Sequence, residues 1–119
     1  MDLSRETHDD VLVLTVQAER IDAASAIQMK DCFREAIKDW DQRVLVDLKN
    51  VNFMDSSGLG AMVAALKCLN GRPLELTGMT PAVEKVFSLT RMDKVFTLHD
   101  SRKDALGAGE SSKNDATAA

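Results

Sequence analysis

Apolar and polar positions alternate between two periods along this chain, and the changes of period mark its elements. Val11-Leu-Val-Leu-Thr-Val16 is short, β-branched and apolar, and it follows the turn-forming His8-Asp9-Asp10. It predicts a strand, with Leu3 to Glu6 able to pair with it as a hairpin. From Ala23 to about Lys38 the apolar residues Ala23, Ala26, Ile27, Cys32, Phe33, Ala36 and Ile37 recur at helical spacing, with charged residues between them. That pattern predicts an amphipathic helix. Val44 to Leu48, apolar apart from Asp47, reads as a second strand with both faces partly covered.

A helix-like run extends from about Ser57 to Leu69, and Gly71 stops it. Pro73 to Leu76 predicts a third strand, Pro81 fits the first turn of a helix reaching about Leu89, and Val95 to Leu98 predicts a last short strand. Strands alternating with helices imply βαβ units, right-handed crossovers and a mainly parallel sheet. The expected fold is therefore α/β, a central mixed sheet of four to five strands packed with helices and opened by an N-terminal β-hairpin. After about Ala105 the apolar period is lost among Gly, Ala, Ser, Asn and Asp. This predicts one domain over residues 1–106 and a disordered tail over 107–119.

Composition narrows the classes. The 119 residues are 45% apolar and 29% charged, as in ordinary globular proteins. The longest apolar runs, such as Ala61 to Leu66, are cut by Lys67 well short of the roughly 18 residues a membrane span needs. The acidic N-terminus lacks the apolar core of a secretory signal, so a cytoplasmic location and no membrane partner are expected. The formal charge is −4, and no dense cluster of Lys and Arg is present to gather phosphates, which argues against a nucleic-acid partner. Cys32 and Cys68 form no close-spaced pair, and His8 and His99 have no ligand-spaced neighbours, so no metal site is expected. Trp40 and the scattered methionines are expected to serve packing. Neither a phosphate-cradling Gly-Lys-Ser/Thr loop nor a Gly-x-Ser-x-Gly elbow occurs, and no acid-base constellation is readable. An enzyme is not expected, and no cofactor.

The most informative stretch is Asp55-Ser56-Ser57-Gly58-Leu59-Gly60, which opens a helix directly after a buried strand and the short link through Phe53 and Met54. Asp55 or Ser56 can act as N-cap. Gly58 and Gly60 allow the first turn to approach a neighbouring backbone or a docking protein closely. Ala61, Ala64 and Ala65 keep part of the helix thin. Asp-Ser-Ser-Gly is also an ordinary capping sequence. What distinguishes it here is the placement of the serines at a surface strand-to-helix turn, where free N–H groups tolerate an added anion. A phosphate would add about −1.5 to −2 charges beside Asp55 and make a flush, small-residue surface bulky and anionic.

With these residues in view, the chain resembles the STAS-domain anti-sigma factor antagonists, from about Val11 to His99. The resemblance rests on the strand Val44 to Leu48, the block Val51-Asn-Phe-Met-Asp-Ser-Ser-Gly-Leu-Gly60, and Thr80-Pro-Ala-Val-Glu-Lys-Val-Phe87. It implies a phosphorylation site at Ser56, with Ser57 as fallback, and a partner-binding face of Asp22, Asp55, Ser56, Ser57, Gly58, Leu59 and Gly60. Asp22 matches the last residue of the family's Gly-Glu-Leu-Asp, though Glu19 replaces its Gly and Arg20 its acidic residue. A plain N-cap role for Asp22 stays open.

The resemblance further implies a partner switch acting in transcription regulation. Unphosphorylated protein would bind an anti-sigma factor that is also a serine kinase and release its client. Phosphorylation would end binding, and a PP2C-type phosphatase would reset it. ATP and magnesium would belong to the kinase. The alternative is a constitutive STAS accessory or scaffold subunit of a transporter or sensory assembly, never phosphorylated.

Overall fold

The computed structural model describes residues 3–107. The hairpin is formed by β1 (Leu3–His8) and β2 (Val11–Val16), paired antiparallel around a turn in which Asp9 takes a positive φ of 56°. Beyond it, β4 (Arg43–Asp47), β6 (Leu74–Thr77) and β7 (Thr97–His99) join in parallel, giving a five-stranded sheet in the order β1-β2-β4-β6-β7. Two further short strands, β3 (Arg20–Ile21) and β5 (Phe53–Met54), pair in parallel as a separate two-stranded sheet.

Helices α1 (Ala26–Ala36), α2 (Ser56–Lys67) and α3 (Pro81–Leu89) connect the parallel strands. The sheet grows in one direction from β2 to β7, so crossovers of one hand place every helix on the same face. Their inward residues Met29, Phe33, Met62, Ala65, Val83 and Phe87 accordingly share one core with Leu12, Leu14, Val16, Val44, Val46, Leu74 and Leu76. The alternate strand residues face the other way. There Val11, Val13 and Leu45 are covered by Ala105, in a segment that is helical over 102–107. This explains why β2 and β4 read as continuous apolar runs rather than alternating ones.

Several boundaries differ from the sequence expectations. α1 begins at Ala26, not Ala23, because residues 22–25 form a turn in which Asp22 Oδ1 accepts the Ala24 and Ser25 N–H groups. β6 starts after Pro73, which has no N–H for the ladder, and ends at Gly78, whose φ is +70°. A Cβ at position 78 would press on Asp47 Oδ1, so this turn requires glycine. The last strand is Thr97–His99 rather than Val95 to Leu98. A 3-10 turn over Met92–Lys94 directs Phe96 inward, where its ring meets Phe87 edge-on at 5.4 Å. The helical segment over 102–107 was not expected; it includes Gly107, and the remainder of the expected tail lies outside the described residues.

Candidate functional site

At the start of α2, Asp55 is the N-cap: its Oδ1 accepts the Gly58 N–H at 2.9 Å, and its backbone carbonyl accepts the first α-helical bond, from Leu59. Such a cap typically contributes about 1 kcal/mol. Ser56 and Ser57 follow on the exposed side, in the turn whose amides lack intrahelical acceptors. Gly60 is exposed too, and a Cβ there would meet nothing within 4 Å. Leu59 is half-buried against the core.

Gly58 behaves differently from the other expected contact residues. It is buried, and a Cβ on it would fall inside the Ile21 carbonyl and against the Met54 side chain. Its glycine identity is thus consumed within the fold, where it lets α2 lie on β3. The close approach is held by the pairing of β3 with β5 and extended by a bond from the Asp55 N–H to the Ile21 carbonyl at 3.4 Å. The serine turn therefore rests on a small rigid platform.

Asp22 lies at the end of that platform. Besides the two backbone bonds, it hydrogen-bonds the Ser25 hydroxyl at 3.3 Å and receives Arg20 Nε on Oδ2 at 3.2 Å. The Arg20 hydrogen bond, opposed by modest desolvation and reinforced by those of Ser25 and Ala24, holds its carboxyl below the usual aspartate range. Asp22 caps a turn rather than the first residue of α1, and it remains one-quarter exposed. The Arg20 guanidinium also lies over the Phe53 ring, 4.2 Å from its centre. Neither Arg20 nor Phe53 was expected at the site as a contact residue. They stand 33 positions apart, and only the parallel register of two two-residue strands brings them together.

A second polar cluster occupies the opposite face of the main sheet. Arg43 forms a two-pronged bridge to Glu75 at 2.7 and 2.8 Å, and His99 Nε2 lies 2.9 Å from the same carboxylate. His99 is thus on an edge strand as expected, but largely enclosed. Arg102 reaches Asp47, Thr15 and Glu6, while Arg43 also donates to the Ala105 carbonyl. These bonds tie the C-terminal segment to the sheet. Trp40 packs on the core and donates to the Arg43 carbonyl at 2.7 Å, and Cys32 and Cys68 are half-buried and not in a disulfide.

No described helix is long and apolar enough to cross a membrane. Among the described residues no three His, Cys, Asp or Glu side chains converge as a metal site. The fold and this site define a small α/β domain with its three crossover helices on one face, whose distinctive surface is a braced, serine-bearing helix start beside an aspartate turn.

Comparison with known proteins gives that class its family: residues 2–105 match the STAS domain, and the chain belongs to the STAS-domain family. The anti-sigma F factor antagonist of Paenibacillus polymyxa is 26% identical over 117 residues, covering 89% of this chain and 92% of that protein. An anti-sigma-B factor antagonist of Staphylococcus epidermidis is 28% identical over 96 residues, covering 79% and 88%. The crystal structure of an anti-sigma factor antagonist from Mycobacterium paratuberculosis superimposes with a TM-score of 0.79 at 28% identity, covering 90% and 92%.

Proposed function

We propose that this chain is a cytoplasmic anti-sigma factor antagonist that works by phosphorylation-controlled partner switching, as a regulator and not as an enzyme. In this reading the face around Ser56 docks an anti-sigma factor that is itself a serine kinase, and docking frees the client that the kinase otherwise holds. The kinase brings ATP and magnesium; the chain contributes the acceptor hydroxyl and no cofactor. The γ-phosphoryl group passes to Ser56 Oγ, the hydroxyl proton leaves to the kinase, and ADP departs. A PP2C-type phosphatase returns the hydroxyl by hydrolysis.

The observation that carries this reading is the exposure of Ser56 on a helix start held independently of it. Asp55 caps the helix and Gly58 seats it on β3, so a phosphate can be added without dismantling either support. Its oxygens can accept the open amides of the first turn, which keeps α2 folded. The outer surface meanwhile gains about −1.5 to −2 charges next to two carboxylates, Asp55 and Asp22. A partner fitted to a small neutral turn then meets bulk and charge. The relatives named as antagonists support the same role.

The test is intact-mass spectrometry with site mapping after incubation with ATP and extract of the source cells, wild type beside Ser56→Ala. One phosphate on Ser56, absent from the variant, is expected. Ser56→Ala should then keep binding the kinase, and Ser56→Asp should weaken it on the order of a hundredfold, as a misplaced charge at an interface does. No modification, under conditions that phosphorylate other proteins, would favour the constitutive accessory subunit instead.

A further inference from the structure

Next to the serine turn, β3 and β5 present their outer side chains in alternation with the buried Ile21 and Met54. The outward set is Arg20 and Asp22 on one strand and Phe53, leading to Asp55, on the other. Arg20 is the cation in this set, on a chain of net charge −4. Its side chain is 60% exposed, yet it is held at two points: Nε on Asp22, and the guanidinium carbon 4.2 Å from the centre of the Phe53 ring. Its two terminal amino groups have no partner among the described residues. Phe53 is itself 40% exposed, so the ring that carries Arg20 is reachable from solvent.

We infer that the Arg20–Phe53 stack is a second anchor of the docking face, and that it receives an Asp or Glu side chain of the protein that docks. A guanidinium bonded to a carboxylate and resting on a ring has already given up part of its rotational freedom, so ordering it on binding costs less. Its free edge offers paired N–H donors in the geometry that a carboxylate accepts two at a time. Arg beside an aromatic ring is also the composition enriched where truncation costs most in interfaces. A nucleic acid is a poor fit, since its backbone is held by many cations along a surface and this face offers one. The anchor decides which partner is accepted: one presenting Lys or Arg at this point is repelled, whatever its fit to Ser56.

The inference rests on reading the Ser56 face as the docking face, and the experiment separates the two. In the full chain, Phe53 is replaced by a photoreactive aryl-ketone amino acid, which keeps an aromatic ring under Arg20. The protein is irradiated in extract of the source cells, alone and with Arg20→Glu or Arg20→Lys, and the cross-linked partner peptide is sequenced. The expected peptide carries Asp or Glu at or next to the linked residue. Its yield should fall about a hundredfold in Arg20→Glu, the cost of facing like charges at an interface, and only severalfold in Arg20→Lys, which keeps charge but not the flat fork. Urea midpoints of the variants check folding, and Arg20→Gln substitutes if Arg20→Glu is impaired. The inference is overturned by a linked peptide that is basic or without acids, by a yield indifferent to Arg20→Glu, or by no cross-link at all. If Ser56 is never phosphorylated but the acidic, Arg20-dependent cross-link forms, the switch fails and the anchor stands. If Ser56 is phosphorylated and no such cross-link forms, the switch stands and the anchor fails.

Discussion

At the scale of single residues, Gly58 and Ser56 carry the site in opposite ways. Ser56 is open to solvent, and its substitution should leave stability within about 0.5 kcal/mol while changing partner binding. Gly58 is buried, and Gly58→Ala should lower stability by about 2–3 kcal/mol, since the added methyl group cannot coexist with the Ile21 carbonyl. Urea denaturation checks both, and a Gly58→Ala protein as stable as wild type would mean that α2 does not lie this close to β3. The sequence marked both positions by the same motif. It could not say that one is an open hydroxyl and the other a buried support, because that depends on a backbone 37 positions away.

At the scale of elements, the start of α2 and the second face of the sheet are both held by side chains rather than by backbone ladders alone. Asp55→Ala should cost about 1 kcal/mol through the lost cap, and Asp55→Asn distinctly less, since an amide oxygen can still accept the Gly58 N–H. Urea midpoints of the two variants check the order. The helices were legible because a 3.6-residue apolar period survives in each of them, and the main strands because both their faces are apolar. β3 and β5 were not legible. Two residues are too few for a period, and they form only because Gly58 and the flanking turns bring them to hydrogen-bonding distance. The helical segment over 102–107 escaped for a related reason: its single buried Ala105 makes no pattern until Val11, Val13 and Leu45 are seen to need a cover.

At the scale of the whole molecule, polar side chains on the second face join the C-terminal segment to three strands, β1, β2 and β4, and the charges among them predict how the fold responds to acid. Burial raises the Glu75 carboxyl, but hydrogen bonds from Arg43 and His99 and the Arg43 charge outweigh it, so it titrates below the ordinary value of 4.5. A carboxylate lowered by folding adds stability that is complete above its unfolded pKa and is lost as pH falls through the folded one. Wild type should therefore exceed Glu75→Gln in urea midpoint at neutral pH, and the gap should close on acidification from about pH 4.5 downward. A gap independent of pH would show that the carboxylate's charge is not what matters. Arg102→Met, which leaves the nearly buried Asp47 without its main cation, should cost on the order of 3 kcal/mol and loosen the segment over 102–107. Amide exchange of residues 101–107 reads that loosening directly.

From the sequence alone came the fold class, the hairpin, the mainly parallel sheet of alternating strands and helices, a capped helix start at Asp55 or Ser56 and the exposed serine pair. All of these follow from local periodicity, turn chemistry and a short motif, which neighbouring residues largely decide among themselves. The tertiary structure alone decided that Gly58 is a support, that Arg20 lies on Phe53 beside the serines, and that Arg102 and Arg43 fasten the C-terminal segment over the sheet. Those are contacts between residues 33 to 96 positions apart. Their energy appears only once the chain has closed on itself, so no local pattern could announce them.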